Sequence, residues 1–168
     1  QGFFQPNVSL ADGATVGAEA LLRWEHPTKG WVPPMDFIPV AEEAGLVVEL
    51  GRLALTKAVR TAELLRCSLD VPGFFVSVNL SPREILEDDL VDFVDELARS
   101  TGVPAGSLVL EMTESLMLSD PELAIERLHR LRTLGFKVAL DDFGTGYSSL
   151  SYLGRMPVDI LKIAKPFV

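Results

Sequence analysis

Two adjacent carboxylates, Asp141 and Asp142, follow a short apolar run and precede a glycine-rich turn. The run of Val138, Ala139 and Leu140 predicts a buried β-strand, in which an unpaired acid would be costly. Two acids at the end of such a strand need a cation, a proton or water as a partner. An isolated Asp-Asp pair could equally begin a loop or cap a helix, so its meaning depends on what the other strands carry.

Polar side chains recur near the carboxyl ends of five consecutive predicted strands. In parallel α/β folds, functional groups collect at this rim because the strand ends lie side by side. Each residue alone has an ordinary explanation, such as a solvated edge strand, a helix cap or a surface lysine. Their occurrence together favours a functional site. Its candidate residues are Glu19 and Arg23 on one face of the second strand, Asn79, Glu111 with Glu114 just beyond, Asp141 with Asp142, and Lys162. Leu21 lies between Glu19 and Arg23 on the same face.

The candidate ligands are oxygen donors, with no histidine or cysteine among them. Such donors suit Mg²⁺, Mn²⁺ or Ca²⁺ better than a structural zinc ion. Adjacent aspartates allow one carboxylate to bridge two metal ions while the other binds the second ion, and two-metal sites commonly hydrolyse phosphoesters. Lys162 would then orient the attacking water or offset charge in the transition state, and Arg23 is placed to hold a phosphate.

Composition narrows the class of protein. The 168 residues suffice for one domain with a core, and 48% hydrophobic with 23% charged residues is typical of a globular protein rather than a disordered one. The net charge of −9 argues against a nucleic-acid polymer as partner. A small phosphate ligand is compatible with it, because bound metal ions reverse the charge locally.

Three further observations concern the compartment and packing. Cys67, the single cysteine, lies in an apolar helical pattern and is interpreted as a core residue in a reducing compartment. No apolar run could span a membrane and the N-terminus does not resemble a signal peptide, so we expect a cytoplasmic domain, within a protein that could itself be tethered to a membrane. Trp24 and Trp31 are interpreted as packing residues rather than base-stacking platforms.

The pattern of strands and helices begins with a hairpin. Residues 3–10 and 15–24 are strand-like, and Asp12-Gly13 between them is a strong signal for an antiparallel turn. Strands over residues 74–80, 107–113, 137–141 and 159–163 then alternate with helices over residues 35–44, 46–69, 88–100, 120–134 and 148–153. This order predicts a parallel sheet or barrel with helices outside. A full (β/α)₈ barrel takes about 250 residues, so we expect six strands of an eight-stranded design.

Several motifs resemble those of one known family. Glu19-Ala20-Leu21, within Ala-Glu-Ala-Leu-Leu-Arg-Trp, is similar to the motif that names the EAL-domain cyclic-di-GMP phosphodiesterases. The resemblance extends over essentially the whole chain. Its further motifs are Phe4-Gln5-Pro6, Phe37-Ile38-Pro39, Ser77-Val78-Asn79-Leu80-Ser81, Glu111-Met112-Thr113-Glu114, Asp141-Asp142-Phe143-Gly144-Thr145-Gly146 and Leu161-Lys162-Ile163.

The resemblance implies hydrolysis of cyclic di-GMP (c-di-GMP) to the linear dinucleotide pGpG with Mg²⁺ or Mn²⁺. It implies five metal ligands, namely Glu19, Asn79, Glu111, Asp141 and Asp142. Lys162 would contact the nucleophilic water, and Glu114 would steady the loop after Asp142, which in the family also shapes a dimer contact. The implied substrate contacts are Gln5, Leu21 and Arg23.

The resemblance also implies an architecture and partners. The fold would be a TIM-like (β/α) barrel with an antiparallel first strand, and residues 1–168 would be an EAL domain lacking its C-terminal strands and the start of its first strand. The family's final strands carry a further catalytic glutamate and a substrate-contacting glutamine, so we expect this open segment alone to be poorly stable and nearly inactive. A homodimer and an upstream sensor or diguanylate-cyclase-like domain would complete the protein.

One departure leaves an alternative open. The family pattern after Lys162 is Ile-Asp, whereas Ile163 is followed here by Ala164. The retained metal ligands favour an enzyme, whereas Ala164 favours a catalytically degenerate EAL domain that binds c-di-GMP or a protein as a receptor. A more distant alternative is an unrelated metal-dependent barrel lyase or isomerase.

Overall fold

The computed structural model describes residues 2–69, 71–114, 116, 120–144 and 154–167, and the helix predicted over residues 148–153 lies outside them. The strands are β1 (Gly2–Val8), β2 (Thr15–Leu22), β3 (Trp24–His26), β4 (Gly30–Val32), β5 (Phe75–Asn79), β6 (Leu108–Thr113), β7 (Lys137–Phe143) and β8 (Ile160–Ile163). The helices are α1 (Pro34–Glu43), α2 (Val47–Leu69), α3 (Pro82–Ile85), α4 (Leu90–Thr101) and α5 (Pro121–Thr133), with 3₁₀ turns at Ala105–Ser107 and Lys165–Phe167.

The main sheet has six strands in the order β1-β2-β5-β6-β7-β8, and β3 pairs with β4 in a separate small sheet. From β2 to β8 every neighbouring pair is parallel, and helices connect most of these strands. The result is a half-barrel, as the alternation of strands and helices predicts. Within the described residues, β1 and β8 pair on one side only, so both edges of the sheet are open.

The predicted antiparallel hairpin is confirmed. In it, Gln5 lies opposite Glu19 and Phe3 lies opposite Leu21. The turn depends on Gly13, whose φ of 73° is in the left-handed region that glycine adopts without strain. Asp12 supports the turn, because its carboxylate Oδ1 accepts a hydrogen bond of 3.1 Å from the backbone N–H of Ala14.

The parallel strands present two different faces. Alternate residues such as Val76, Leu110 and Val138 are almost completely buried and belong to one hydrophobic core with helix α2 and its neighbours. Because side chains alternate along a strand, the intervening residues point to the opposite, concave face. The pairing register of the parallel strands also places residues at the rim side by side. Asn79 lies beside Glu111, and Thr113 lies beside Asp141.

Local capping fixes where the helices begin. Ser81 and Glu84 form a capping box at the start of α3, since each side chain receives a hydrogen bond from the other's backbone N–H. At α5, Asp120 Oδ1 accepts a hydrogen bond of 3.1 Å from Leu123 N–H. Among the described residues, no helix combines the length and the apolar character needed to cross a lipid bilayer.

Two interpretations from the sequence need correction. The second strand ends at Leu22 rather than at residue 24, and Trp24 starts the β3–β4 hairpin that the sequence pattern did not predict. Arg23 therefore lies between two strands, not on the face of β2 that carries Glu19 and Leu21. Cys67 is exposed near the end of α2, so its place in the apolar helical pattern did not indicate a core position.

Candidate metal centre

Three carboxylates meet at the rim of the half-barrel. Glu19, Glu111 and Asp141 come from β2, β6 and β7, and one carboxylate oxygen of each lies within 4.8 Å of the others. Glu111 is only 2% exposed, whereas Glu19 and Asp141 are half-buried. Three like charges this close repel one another in a partly dehydrated site, so the cluster requires a cation.

Lys162 on β8 supplies positive charge at the centre of this cluster. Its ammonium group Nζ donates to Oε2 of Glu111 at 2.6 Å, to Oδ2 of Asp141 at 2.9 Å and to Oε2 of Glu19 at 3.2 Å. An ammonium group carries three protons, so the three carboxylates use its whole donor capacity. Lys162 and the three acids therefore form one hydrogen-bonded unit.

The electrostatics of this unit hold Lys162 in its charged form. Burial alone would lower the pKa of Lys162, but hydrogen bonds from its ammonium to Glu111 and Asp141 outweigh burial and raise the pKa above the ordinary lysine value. Burial raises the pKa of Glu111, and its hydrogen bond from Lys162 offsets only part of that effect. At neutral pH Lys162 is consequently a donor and a positive charge rather than a proton acceptor.

Asn79, Asp142 and Glu114 surround the cluster. The side-chain amide of Asn79 donates to Oε1 of Glu19 at 3.0 Å, so it lies beside the three acids. Asp142 is exposed and is not among the three clustered carboxylates. Its backbone φ is 52°, and its backbone N–H donates a hydrogen bond of 2.8 Å to Oδ1 of Asp141. Oε1 of Glu114 accepts from the N–H of Gly144 at 2.9 Å, next to the strand end.

The residues expected to contact substrate border the cluster on one side. Gln5 is the cross-strand neighbour of Glu19, and Leu21 lies two residues further along the same face of β2. The Arg23 guanidinium donates through Nη1 to the carbonyl oxygen of Leu22 at 2.8 Å. Leu21, Arg23 and Asn79 line a cavity of about 350 Å³, a volume within the roughly 300–1,000 Å³ of small-molecule sites.

The donor chemistry of the cluster fits a hard divalent cation. All its donors are oxygens, they come from rigid strand ends, and one of them is deeply buried. Lys162 already occupies the position where the acids require positive charge. The three carboxylates therefore fit a hard divalent cation as its ligand set.

Two residues near the site were missed from the sequence. Glu84 is buried and lines the same cavity of about 350 Å³. Its position three residues after Ser81 is a capping-box signal, from which its place at the start of a helix could have been predicted. Trp31 lines a neighbouring groove that also includes Arg23, and its indole is exposed. The sequence carries no signal for that exposure, because the β3–β4 hairpin that presents Trp31 was not predicted.

Comparisons with known proteins agree with the geometry. A signaling protein of Caulobacter vibrioides, described as uncharacterized, is 46% identical over 165 residues, which are 98% of this chain and 20% of that protein. The PaMucR phosphodiesterase in complex with c-di-GMP matches with a TM-score of 0.92 and 38% identity, covering 99% of this chain and 67% of that one. The EAL enzyme Bd1971 with cAMP and cyclic di-GMP bound matches with a TM-score of 0.91 and 36% identity, covering 99% and 46%.

The matches cover nearly all of this chain but only part of the relatives. The chain spans 20% of the Caulobacter protein and 54% of another curated relative, so it corresponds to one part of such proteins. A family model described as EAL domain matches residues 2–168, and the solved neighbours are EAL proteins with the same barrel architecture. The chain therefore belongs to the EAL domain family.

Proposed function

We propose that the protein to which this EAL domain belongs hydrolyses c-di-GMP to linear pGpG in bacterial second-messenger signalling, with Mg²⁺ or Mn²⁺ as cofactor. The observation that carries the proposal is the cluster of Glu19, Glu111 and Asp141 around Lys162 at the strand ends. The family and its solved relative, a phosphodiesterase in complex with c-di-GMP, support the substrate and the reaction class.

The proposed metal ligands are Glu19, Asn79, Glu111, Asp141 and Asp142. When bound there, two divalent ions would neutralise phosphate charge and lower the pKa of a water molecule. For Glu19, Glu111 and Asp141 the proposal is supported by their proximity. Asn79 would have to turn its carbonyl oxygen toward the ion. Asp142 directly follows Asp141, and the bulge at this point of β7 gives its backbone an unusual direction.

Lys162 is proposed to hold the attacking water and the phosphate in line. Its raised pKa keeps the ammonium protonated, so its positive charge stabilises negative charge as the water oxygen attacks phosphorus. To donate a hydrogen bond to that water, the ammonium would have to exchange one of its three carboxylate acceptors for it. It cannot accept the proton of that water at neutral pH. The proton must therefore pass to a carboxylate of the cluster or to solvent, and the departing ribose oxygen is protonated as the phosphodiester bond breaks.

The remaining residues position the substrate. Arg23 would bind a phosphate group through its guanidinium, and Gln5 and Leu21 would line the path between that phosphate and the cluster. Glu114 would steady the backbone just after Asp142, since its carboxylate already accepts the backbone N–H of Gly144.

The test uses the protein at its full natural length, with c-di-GMP and Mg²⁺ or Mn²⁺, and follows pGpG by chromatography. Formation of pGpG that stops on chelation supports the proposal. Asp141→Asn should reduce turnover by roughly 10²–10³-fold, as for loss of a group that stabilises transition-state charge. Asp92→Asn on α4 is the matched control, because Asp92 is exposed and its ion pair is with Arg130 rather than with Lys162. Simple carboxylate substrates, tested in parallel, would identify a barrel lyase or isomerase instead.

One observation favours a second candidate, a c-di-GMP receptor without turnover. Ala164 is only 2% exposed, and its methyl group replaces the carboxylate of the family pattern directly after β8. With alanine in place of aspartate at position 164, one carboxylate fewer would be available for the metal ion near Lys162, so metal binding would be weaker. The substrate contacts proposed for Arg23 would be unaffected. Binding of c-di-GMP by folded protein, without metal-dependent pGpG, would support the receptor.

We also propose partners and a location. The chain corresponds to 20–54% of its curated relatives, so an upstream sensor or diguanylate-cyclase-like domain is proposed for the whole protein, which would act in the cytoplasm. A homodimer through this domain is proposed from the family. Light scattering of the purified full-length protein tests the dimer, and a monomeric mass at micromolar concentration would contradict it.

A further inference from the structure

The β3–β4 hairpin places an exposed aromatic pair beside the candidate site. The rings of Trp31 and Phe3 meet edge to face, with centroids 5.4 Å apart and planes at 82°. Trp31 is 54% exposed and Phe3 is 45% exposed, so each ring leaves about half its surface to solvent. Adjacent exposed aromatic rings are a common feature of binding surfaces, and here they form the wall of a groove.

This groove shares Arg23 with the cavity beside the candidate site. It has a volume of about 560 Å³ and is lined by Phe3, Arg23, Trp31, Val32, Pro33 and Pro34. Arg23 also lines the cavity that contains Leu21 and Asn79. Phe3 lies opposite Leu21, about 7 Å further along the strand than the Gln5–Glu19 pair, because a strand advances roughly 3.3–3.4 Å per residue. The aromatic pair therefore lies along the hairpin from Glu19, on the side where Arg23 follows β2.

The chemistry of the groove selects its occupant. Its walls are aromatic rings and prolines, which favour a flat apolar surface, and its charged group is a guanidinium, which favours an anion. A planar ring attached to a phosphate satisfies both, and nucleobases stack on exposed aromatic side chains in this way. The chain as a whole carries −9, so Arg23 is a local attraction for a phosphate within an acidic domain.

We propose that Trp31, supported by Phe3, stacks on one nucleobase of the cyclic dinucleotide while Arg23 binds the adjacent phosphate. This inference rests on the proposed function and adds a specificity-determining residue to it. Trp31 positions the substrate and does not touch the reacting phosphorus, so its loss weakens binding and leaves the chemical step intact.

Trp24 provides the comparison for this role. It starts the same hairpin, is 44% exposed, and packs edge to face on the buried ring of Phe37 with centroids 5.9 Å apart. It lines a neighbouring groove of about 480 Å³ that shares Trp31, Val32 and Pro33 with the first groove but does not include Arg23. The two tryptophans thus have similar exposure and differ in whether they line the groove that includes Arg23.

The test compares Trp31→Leu, Trp31→Phe and Trp24→Leu in the full-length protein, after circular dichroism has established that each variant is folded. The dissociation constant for c-di-GMP is measured by titration calorimetry, and kcat and KM are measured from pGpG. Trp31→Leu should raise Kd and KM by roughly 5- to 150-fold with kcat unchanged, as expected for loss of one base–aromatic stack. Trp31→Phe should retain part of the affinity, and Trp24→Leu should retain all of it.

Three results would overturn the inference, and they differ in whether the phosphodiesterase proposal survives. If wild-type protein hydrolyses c-di-GMP and Trp31→Leu binds it as tightly, or if both leucine variants weaken binding equally, the stacking role is wrong and the phosphodiesterase proposal stands. If folded wild-type protein neither binds nor hydrolyses c-di-GMP, both proposals are wrong.

Discussion

The ammonium group of Lys162 lies 2.6 Å from Oε2 of Glu111, a carboxylate that is only 2% exposed. These residues are 51 positions apart in the chain and come from strands separated by β7 in the sheet. Because burial raises the pKa of Glu111, its ionised form depends on a nearby cation. The relationship therefore links the stability of the half-barrel to the chemistry of the site.

The first prediction concerns this internal cation. Lys162→Met should lower the free energy of unfolding of metal-free protein by about 3 kcal/mol, the low end for removing one partner of a buried ion pair, because Glu19, Glu111 and Asp141 then repel one another. Urea unfolding followed by circular dichroism measures this change. Lys137→Met is the matched control, since Lys137 is exposed at the start of β7 and should tolerate the change.

A divalent ion should partly replace the missing charge. In Lys162→Met, Mn²⁺ should raise the unfolding temperature more than it does in the wild type, since a ligand that binds the native state stabilises it. Equal shifts in the two proteins would show that the ammonium and the ion do not share the carboxylates. Turnover should fall in the same variant, because no other group in the described cluster carries positive charge.

The second prediction concerns Ala164. Ala164→Asp places a carboxylate at a position that is 2% exposed, so metal-free protein should lose roughly 1–3 kcal/mol of stability. In the presence of Mn²⁺ the same variant should recover stability and hydrolyse c-di-GMP faster than the wild type, since a further oxygen ligand becomes available. Ala164→Asn is the control, because asparagine has the size of aspartate without its negative charge. If the aspartate variant matches the wild type in metal-dependent turnover, the departure from the family pattern has no catalytic consequence.

The strand ends were predictable from the sequence because turn residues and the ends of apolar runs, which lie close together in the chain, mark them. Asp12-Gly13 fixes the hairpin, and apolar runs that end in Asn79, Glu111 or Asp141 mark where parallel strands reach the rim. The meeting of Glu19, Glu111 and Asp141 at one rim followed from the parallel order of their strands.

The remaining features depend on tertiary contacts that no local pattern encodes. Arg23 leaves the face of β2 because a second hairpin begins at Trp24, and three-residue strands are too short for an alternating pattern to be recognised. Asp142 is not among the three clustered carboxylates, and the pairing of β7 with β8 shifts register between Leu140 and Phe143, an irregularity that the sequence pattern does not indicate. Cys67 is exposed because the last buried residue of α2 is Ala62, and the helix continues beyond it to Leu69.

The third prediction concerns Gly51 in α2, which leaves room for the carboxyl group of Glu84. A Cβ atom at position 51 would overlap that carboxyl group, so Gly51→Ala should destabilise the protein by roughly 1–3 kcal/mol although alanine favours helices. In the background of Glu84→Ala the same substitution should cost less, because the overlap is gone. Chemical unfolding of the four proteins gives the coupling energy, and additive effects would show that the two residues do not compete for this space.

The last prediction concerns the pH dependence of stability through Glu84. Burial raises the pKa of Glu84 above its ordinary value of 4.5, and hydrogen bonds from Ser81 offset only part of this effect. Between 4.5 and the raised value, the native state therefore binds more protons at this residue than the unfolded state does. It follows that stability contributed by the protonated carboxyl is fully present below the unfolded pKa and is lost as the pH rises through the folded pKa.

Glu84→Gln removes this titration while keeping the side chain's size and an acceptor oxygen for Ser81. Relative to wild type, the variant should gain stability as the pH rises from 4 toward neutrality, and the gain should level off once the wild-type carboxyl is ionised. Unfolding in urea at a series of pH values measures the difference, and Glu96→Gln on the exposed face of α4 controls for the loss of one surface charge. A difference between Glu84→Gln and wild type that stays constant across this range would show that Glu84 titrates alike in both states.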